Sequence, residues 1–362
     1  MVPVSRGILN ARYAIDGAPS MAGRKEMLSE KELTTPVKLC RADGRLNAES
    51  VGWSRTPLHT CNLNGRWPRK KRWNYWAITT EKYLFSATIS NVDYSGLVFV
   101  YLADFANDLF HETTLIVPLG RGCDLPETVN ADVHFAGKGI CVEMLQIESG
   151  VELNVAIDDF EGSPLSAHFI NTMPPGHETL NVVIPWDECT FQFTSKQNTL
   201  PAEGTVEWGG ATMHFSGAQS FACLDYGRGI WPRDCVWNWG SASGRQNGRT
   251  LGLNLGGQWT DGTGYTENGI CVDGRLAKIS EYLRWEYDKN NFNKPWRISA
   301  PSGAVDLTFT PFMERVAASN LWLVKSEVHQ MFGHYDGTVT TEDGVIPVQK
   351  LLGWAEDHVA KW

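Results

Sequence analysis

The sequence predicts an all-β fold of two tandem antiparallel barrels or sandwiches, with only short helices. Three observations lead to this prediction. Short runs rich in β-branched and aromatic residues follow one another at roughly even spacing, separated by turns. Trp and Gly are frequent, with 15 and 35 copies among 362 residues. A tryptophan motif also occurs twice at a constant offset, which indicates a duplicated structural unit.

The repeated motif has the form W-P-R-x-x-x-W-N followed by an aromatic residue. The first copy runs from Trp67 to Tyr75, and the second runs from Trp231 to Trp239. The offset between the copies is 164 residues at every matched position. At three central positions Lys70-Lys71-Arg72 is replaced by Asp234-Cys235-Val236. Because long charged side chains prefer water, we expect the second unit rather than the first to contain the chemistry.

Three segments follow one another along the chain. Residues 1–50 are polar and irregular, residues 51–200 are predicted to form the first barrel unit, and residues 201–362 the second. The strand-like runs of the first unit are 77–90, 97–103, 114–117, 132–135, 140–147, 151–157, 167–171 and 179–184. Those of the second unit are 205–215, 236–240, 249–255, 264–272, 275–287, 305–311, 324–332 and 337–348. Short helices are predicted around residues 24–33 and 312–317.

Composition argues against several classes of function. A net charge of −9 does not suit a nucleic-acid-binding surface. No segment approaches the ~20 apolar residues of a membrane span, so we expect no stable membrane insertion. The first residues lack the apolar core of a secretory signal, and the eight cysteines show no zinc-like spacing. We therefore expect reduced cysteines, a cytoplasmic location and no metal, while the oligomeric state stays open.

Chemically active residue types are densest between Cys223 and Asp273. If their side chains point into one barrel lumen, a carboxyl beside tryptophan is desolvated, which raises its pKa and suits it to general acid catalysis. The catalytic candidates here are Asp225, Asp234 and Glu267. The candidates for substrate binding are Arg228, Trp237, Trp239, Asn254, Asn268 and, from the first unit, Trp76. The alternative is that Asp225 and Glu267 form structural ion pairs with nearby arginines.

A second candidate pair, His177-Glu178, lies in the polar stretch of chain that leads from the first unit towards the second. It fits a base with its partner or a pair of metal ligands, but the interpretation we favour is a polar bridge between the barrels. The residue four positions after His177 is Asn181, so the H-E-x-x-H zinc motif is absent. Glu356 and His358 form a weaker pair of the same kind near the C-terminus.

Several motifs resemble those of the DUF2804 family, a group without an assigned activity. They are Trp73-Asn74-Tyr75-Trp76, His177-Glu178 with Pro185-Trp186, Thr194-x-Lys196 with Leu200-Pro201-Ala202-x-Gly204, Trp237-x-Trp239-Gly240, Gly252-Leu253-Asn254-Leu255-Gly256 and Thr266-Glu267-Asn268. The likeness extends from about Gly52 to Trp362. It contains no motif that assigns a catalytic residue.

That family in turn resembles double-lipocalin proteins, among them carotenoid hydratases of the hydroxyneurosporene synthase type, tocopherol cyclase and fungal lipocalin-like Diels–Alderases. The resemblance implies two lipocalin-like (calycin) barrels with a small-molecule substrate between or within them. It also implies that acidic and aromatic residues promote hydration or ring closure without a cofactor.

Three functions stay open. The first is a cofactor-independent hydratase, isomerase or cyclase acting on a small terpenoid or lipid-like substrate, in which a carboxylic acid protonates an alkene and Trp faces stabilise the cation. The second is a carbohydrate-active enzyme with paired carboxylates and Trp stacking. The third is a non-catalytic carrier of a hydrophobic ligand. The side chains that line the second barrel should distinguish these three.

Overall fold

The computed structural model describes residues 27–321 and 324–361. This part of the chain contains 24 β-strands and one 3-10 turn at Ala48–Ser50, so the all-β prediction is confirmed. The helix predicted at 312–317 is wrong, because these residues alternate between exposed and buried with the period of two that a strand requires. Residues 27–33 contain no helix either, and residues 24–26 lie outside the described residues.

The strands are numbered here in chain order. The first fifteen are β1 (Val37–Lys38), β2 (Trp53–Ser54), β3 (His59–Thr60), β4 (Lys70–Thr79), β5 (Tyr83–Asn91), β6 (Ser95–Asp104), β7 (Leu109–Pro118), β8 (Val133–Gly137), β9 (Ile140–Ile147), β10 (Gly150–Phe160), β11 (Ser163–Thr172), β12 (Leu180–Pro185), β13 (Phe191–Trp208), β14 (Ala211–Phe215) and β15 (Phe221–Ile230). The remaining strands are β16 (Asp234–Gln246), β17 (Arg249–Gly257), β18 (Gly269–Val272), β19 (Arg275–Lys278), β20 (Arg284–Glu286), β21 (Trp296–Ser299), β22 (Val305–Leu321), β23 (Val324–Thr341) and β24 (Gly344–Lys361).

The first large sheet has 13 strands, with the central order β7-β6-β5-β4-β15-β13-β11-β10-β9-β8. Its pairings are antiparallel throughout. The sheet curls around one core, since Phe85 on β5 stacks against Phe169 on β11 at a centroid distance of 5.3 Å. These two strands are not neighbours in the sheet, so only curvature brings their side chains together.

The second sheet has nine strands in the order β19-β18-β17-β16-β24-β23-β22-β21-β20. It also curls around a core of its own, to which Leu253, Trp296, Phe309 and Tyr335 contribute from four different strands. The two curled antiparallel sheets confirm the predicted fold class.

The sheets divide between the end of β15 at Ile230 and the start of β16 at Asp234. The predicted boundary between residues 200 and 201 falls inside β13, which pairs with β11 and β15 and therefore belongs to the first sheet. The sheet division thus comes later in the chain than the predicted unit boundary. The division into segments 1–50, 51–200 and 201–362 stays a prediction.

The two sheets pack against each other through their outer faces. On β4, Trp76 and Ile78 point into the first core, whereas Tyr75 and Ala77 belong to a separate cluster shared with the second sheet. Tyr75 meets Trp239 of β16 edge-on at a centroid distance of 5.8 Å. An aromatic layer therefore joins the sheets, and the side-chain alternation of each strand decides which residues enter it.

Each copy of the tryptophan motif leads directly into a strand of this layer, β4 or β16. The expectation that the cationic triplet of the first copy faces water is wrong for Lys71, which is only 1% exposed. Its ammonium lies 4.6 Å from the centroid of the Tyr94 ring. Burial lowers the pKa of Lys71 from 10.5 to about 8, because a charged amine loses hydration when it leaves water.

The eight cysteines form no disulfide in this structure. Six are buried, and Cys141 and Cys189 are half-buried. Burial raises the pKa of the Cys223 thiol to about 12, which keeps this sulfur protonated and a poor nucleophile at neutral pH.

Candidate active site between the two sheets

Polar side chains form two facing rows at the centre of the layer between the sheets. Residues paired directly across neighbouring strands point to the same face of a sheet. The first row consists of Lys196 on β13, Asp225 on β15, Tyr75 on β4 and Thr88 on β5. The second row consists of Trp239 on β16, Glu356 on β24, Gln330 on β23 and Arg315 on β22. The rows touch, since the Lys196 ammonium lies 4.1 Å from the Trp239 ring centroid and Gln330 Nε2 donates to the Tyr75 hydroxyl at 3.4 Å.

Lys196 is the cation of this site. Its Nζ lies 3.0 Å from Asp225 Oδ2 and 3.2 Å from Glu267 Oε2. Burial alone would lower the pKa of Lys196, but the two carboxylates outweigh burial and raise it above its usual value. Lys196 therefore stays charged at neutral pH, and it acts as a fixed positive charge rather than as a nucleophilic amine.

Glu267 is the most deeply buried carboxyl of the site, with 1% of its surface exposed. It accepts a hydrogen bond from Trp259 Nε1 at 2.7 Å. Burial raises the pKa of Glu267, although Lys196 partly offsets this effect. A Cβ atom at Gly256 would lie 2.3 Å from Glu267 Cγ, so the carboxyl occupies space that only a glycine leaves free.

Glu356 is a second buried carboxyl, on the facing sheet. Its Oε1 accepts a hydrogen bond from Gln330 Nε2 at 2.8 Å. Burial raises the pKa of Glu356 to about 8, and the nearby Arg315 and Lys196 only partly oppose the shift. In most molecules at neutral pH, Glu356 is therefore a protonated carboxylic acid, a form that can donate a proton.

Tyrosines and a cross-sheet ion pair extend this network. The Tyr75 and Tyr101 hydroxyls lie 2.7 Å apart, and Tyr101 donates to Gln330 Oε1 at 3.1 Å. Arg315 on the second sheet makes two hydrogen bonds, of 2.9 and 3.0 Å, to the Glu112 carboxylate on the first sheet. These contacts hold the two rows opposite each other.

The side chains of the two rows do not fill the space between the sheets completely. Lys196, Asp225, Tyr75, Glu356 and Arg315 each keep 7 to 9% of their surface accessible, although they lie between two sheets. A surface groove of about 460 Å³ is lined by residues 113–115, 138–140 and 157–159 and contains none of these five residues. The candidate site is thus a narrow crevice within the protein layer.

Several residues predicted from the sequence do meet at this site. Asp225 and Glu267 share Lys196, and Trp239 Nε1 donates to Asn254 Oδ1 at 3.0 Å. Asn268 Oδ1 accepts from the backbone amide of Gly256 at 2.6 Å and so supports the strand opposite Trp239. The meeting point is the space between the sheets, not the expected lumen of the second barrel.

The strand pattern explains this difference. Leu253 and Leu255 face the second core, and Asn254 between them faces outward. The Asn254 side chain on β17 therefore points towards the first sheet.

Other predicted residues lie elsewhere. The Asp234 side chain is 70% exposed and pairs with Lys361 at 3.3 Å on the surface. Trp76 belongs to the core of the first sheet. Arg228 is buried inside that sheet, where it donates to Asn74 Oδ1 at 2.8 Å. Trp237 lies at the rim of the layer, its ring 3.8 Å from that of His358.

His177 and Glu178 do not reach the crevice either. Glu178 lies 2.8 Å from Arg55 and 2.9 Å from Arg275. Burial opposes ionisation, but backbone and arginine contacts prevail and lower the pKa of Glu178. His177 Nε2 contacts the Asn198 carbonyl oxygen at 3.1 Å, and burial lowers its pKa. These contacts match the polar bridge between the barrels.

Four residues of the site were not predicted from the sequence: Lys196, Gln330, Arg315 and Glu356. Lys196 is part of a motif that resembles DUF2804, and Glu356 was noted from the sequence only as one member of a weaker pair with His358. No local pattern near Gln330 or Arg315 distinguishes them from ordinary strand residues.

The described part of the chain has two further negative features. No three His, Cys, Asp or Glu side chains there are grouped as metal ligands would be. No helix there is long and apolar enough to cross a membrane.

Comparison with known proteins establishes the family. The sequence profile of DUF2804, a domain of unknown function, matches residues 30–362, and the chain belongs to this family. No curated protein sequence matches the chain.

Several solved structures resemble this fold at low sequence identity. An AttH-like protein from Nitrosomonas europaea is 13% identical with a TM-score of 0.46, over 80% of this chain and 92% of that one. Kievitone hydratase from Nectria haematococca is 11% identical with a TM-score of 0.47, over 81% and 88%. CghA bound to Sch210972 is 10% identical with a TM-score of 0.40, over 81% and 89%. Because all three scores lie below 0.5, we draw no argument about activity from them.

Proposed function

We propose that this member of the DUF2804 family is a cofactor-independent acid–base enzyme of the hydratase, isomerase or cyclase type. Its active site is the crevice between the two rows, and its substrate is a small terpenoid or lipid-like molecule. One observation supports the proposal most directly: a carboxyl kept protonated at neutral pH, Glu356, faces an ion-paired carboxylate, Asp225, between aromatic walls. An acid and a base on opposite sides of one space are what proton-transfer chemistry needs.

Each group takes one role in the proposed reaction. Glu356 donates its proton to an alkene carbon or to a leaving oxygen of the substrate. The faces of Trp239 and Tyr75 stabilise the carbocation that forms, since aromatic rings attract cations. Asp225, oriented by Lys196, then removes a proton from an attacking water or from a carbon next to the cation. One proton is added and one is removed, so no redox cofactor is needed.

Glu267 and Glu356 are competing candidates for the acid. Burial raises the pKa of both carboxyls. Glu356 keeps 8% of its surface accessible, whereas Glu267 keeps 1% and is held by Trp259 and Lys196. We therefore assign Glu356 as the proton donor. Glu267 holds Lys196 in position.

Deuterium incorporation tests this function without knowledge of the natural substrate. The protein is incubated in D₂O with a panel of small cyclic alkenes, allylic alcohols and enones, and mass spectrometry follows the deuterium in each compound. We expect the wild type to label at least one compound. Glu356→Gln should lower the rate by about 10²- to 10⁴-fold, the usual contribution of a general acid.

Glu342→Gln on an exposed turn is the matched control and should keep the wild-type rate. If compounds bind but none is labelled, the protein is a carrier rather than an enzyme. If Glu267→Gln abolishes labelling and Glu356→Gln does not, Glu267 is the proton donor and the assignment of Glu356 is wrong.

A further inference from the structure

Several buried polar atoms in the layer between the sheets have no hydrogen-bond partner among the described residues, and two of them border the aromatic walls. These two are the indole Nε1 of Trp354 and the hydroxyl Oγ1 of Thr88. Each residue is only 2% exposed. Most buried polar groups in proteins are hydrogen-bonded, because an unpaired one loses its hydration without compensation. Each of these two atoms therefore calls for a partner.

Both atoms belong to residues that border the crevice. The Trp354 ring lies 5.3 Å from the Trp239 ring and 6.4 Å from the Tyr75 ring, measured between centroids. Thr88 is paired across the sheet with Tyr75 on one side and Phe99 on the other, so it faces the same layer. The unpaired atoms thus flank the aromatic walls where the proposed substrate would lie.

The chemistry of the two atoms restricts what can satisfy them. An indole N–H only donates hydrogen bonds, so its partner must be an acceptor. A threonine hydroxyl can donate to the same acceptor. The surrounding surface is aromatic, from Tyr75, Trp239 and Phe99, and suits an apolar carbon skeleton.

We propose that the substrate carries a carbonyl or hydroxyl oxygen that accepts hydrogen bonds from Trp354 Nε1 and Thr88 Oγ1. The substrate class is then an oxygenated cyclic molecule, such as an enone or a cyclic alcohol, rather than a pure hydrocarbon. This inference rests on the proposed function for the location of the substrate. Trp354 and Thr88 are specificity-determining residues, and Glu356 remains the proton donor.

A matched pair of probes tests the inference by binding alone. α-Tetralone and tetralin share a rigid bicyclic skeleton and differ at one position, a carbonyl in the first and a methylene in the second. Their affinities for the full chain are measured by ligand-observed NMR titration. We expect the wild type to bind α-tetralone at least about tenfold more tightly than tetralin, since a site built for a polar group discriminates against the analogue that lacks it.

Two variants locate the effect. Trp354→Phe keeps an aromatic ring without the N–H, and it should weaken α-tetralone binding about tenfold and leave tetralin binding unchanged. Thr88→Val keeps the shape without the hydroxyl and should weaken α-tetralone binding several-fold. Trp208→Phe is the control, because its Nε1 donates to the Phe160 carbonyl within the first sheet and lies outside the crevice.

Equal affinity of the wild type for the two probes, or no binding of either, overturns the inference. So does an unchanged preference in both Trp354→Phe and Thr88→Val. If Trp354→Phe does not fold, Thr88→Val decides alone. The two proposals can fail separately: if the wild type prefers α-tetralone but labels no compound in D₂O, this inference holds and the proposed catalysis fails.

Discussion

The two copies of the tryptophan motif lead into similar strands but have different surroundings. Trp67 of the first copy is 65% exposed, whereas Trp231 of the second is 3% exposed. Trp231 stacks against Trp259 at 5.4 Å, and its Nε1 donates to Gln192 Oε1 at 2.7 Å. The first tryptophan of the motif therefore lies at the surface in one copy and in the core in the other, although Arg233 of the second copy is itself exposed.

Farther along the motif the two copies become alike. Asn74 and Asn238 are both buried, and each hydrogen-bonds to side chains of its own sheet. The aromatic residues that follow, Tyr75 and Trp239, both face the layer and touch each other. The repeat thus sets which side of the strand a residue faces, and the packing of the two sheets sets how deeply it is buried.

The largest expected effect tests the difference in burial. Trp231→Ala removes a buried ring from an aromatic cluster and should lower the free energy of unfolding by about 3–5 kcal/mol. Trp67→Ala, at the equivalent position of the exposed copy, should change it by less than about 0.5 kcal/mol. Urea denaturation measures both. Similar losses for the two variants would show that Trp67 is not at the surface.

A smaller effect concerns the strand opposite each motif. Trp239 pairs with Gly256, where a Cβ would collide with Glu267, while Tyr75 pairs with Thr88. Gly256→Ala should therefore lower the free energy of unfolding by about 1–3 kcal/mol, as overpacking does. Gly217→Ala is the control, since the nearest atom to its Cβ lies 3.8 Å away. A neutral Gly256→Ala would mean that the Glu267 carboxyl lies elsewhere.

The last expected effects, the smallest when counted per pH unit, are two pH slopes of opposite sign. The folded state raises the pKa of Glu356 from 4.5 to about 8, so stability from its protonated form is lost as pH rises from about 4.5 to 8. The folded state lowers the pKa of Lys71 from 10.5 to about 8, so stability increases as pH rises from about 8 to 10.5. Each slope is at most about 1.4 kcal/mol per pH unit.

Urea denaturation at a series of pH values measures these slopes. Glu356→Gln should remove the dependence of stability on pH only between about pH 4.5 and 8. Lys71→Met should remove it only between about pH 8 and 10.5. If both variants keep the wild-type profile, neither group has the shifted pKa, and the acid role of Glu356 is lost with it.

Much of the fold follows from local sequence. Period-two alternation, turn dipeptides such as Asp273-Gly274 and the repeated motif predicted the strands and the doubling, because these signals act between close neighbours in the chain. The strand at 312–317 was missed even though its alternation was present. Asp225, Glu267, Trp239 and Asn254 were predicted as site residues, since acids and tryptophans concentrate between residues 223 and 273.

The sequence by itself therefore determined the all-β fold class, and it predicted a duplication and some of the residues of the candidate site. Only the tertiary structure decided that the two sheets meet through their outer faces and bring Lys196, Gln330 and Glu356 to the same crevice. The contact between Gln330 and Tyr75 joins residues 255 positions apart, and no local pattern encodes such a distance. The proton affinity of Glu356 depends on the loss of surrounding water, and this burial exists only once the two sheets have packed together.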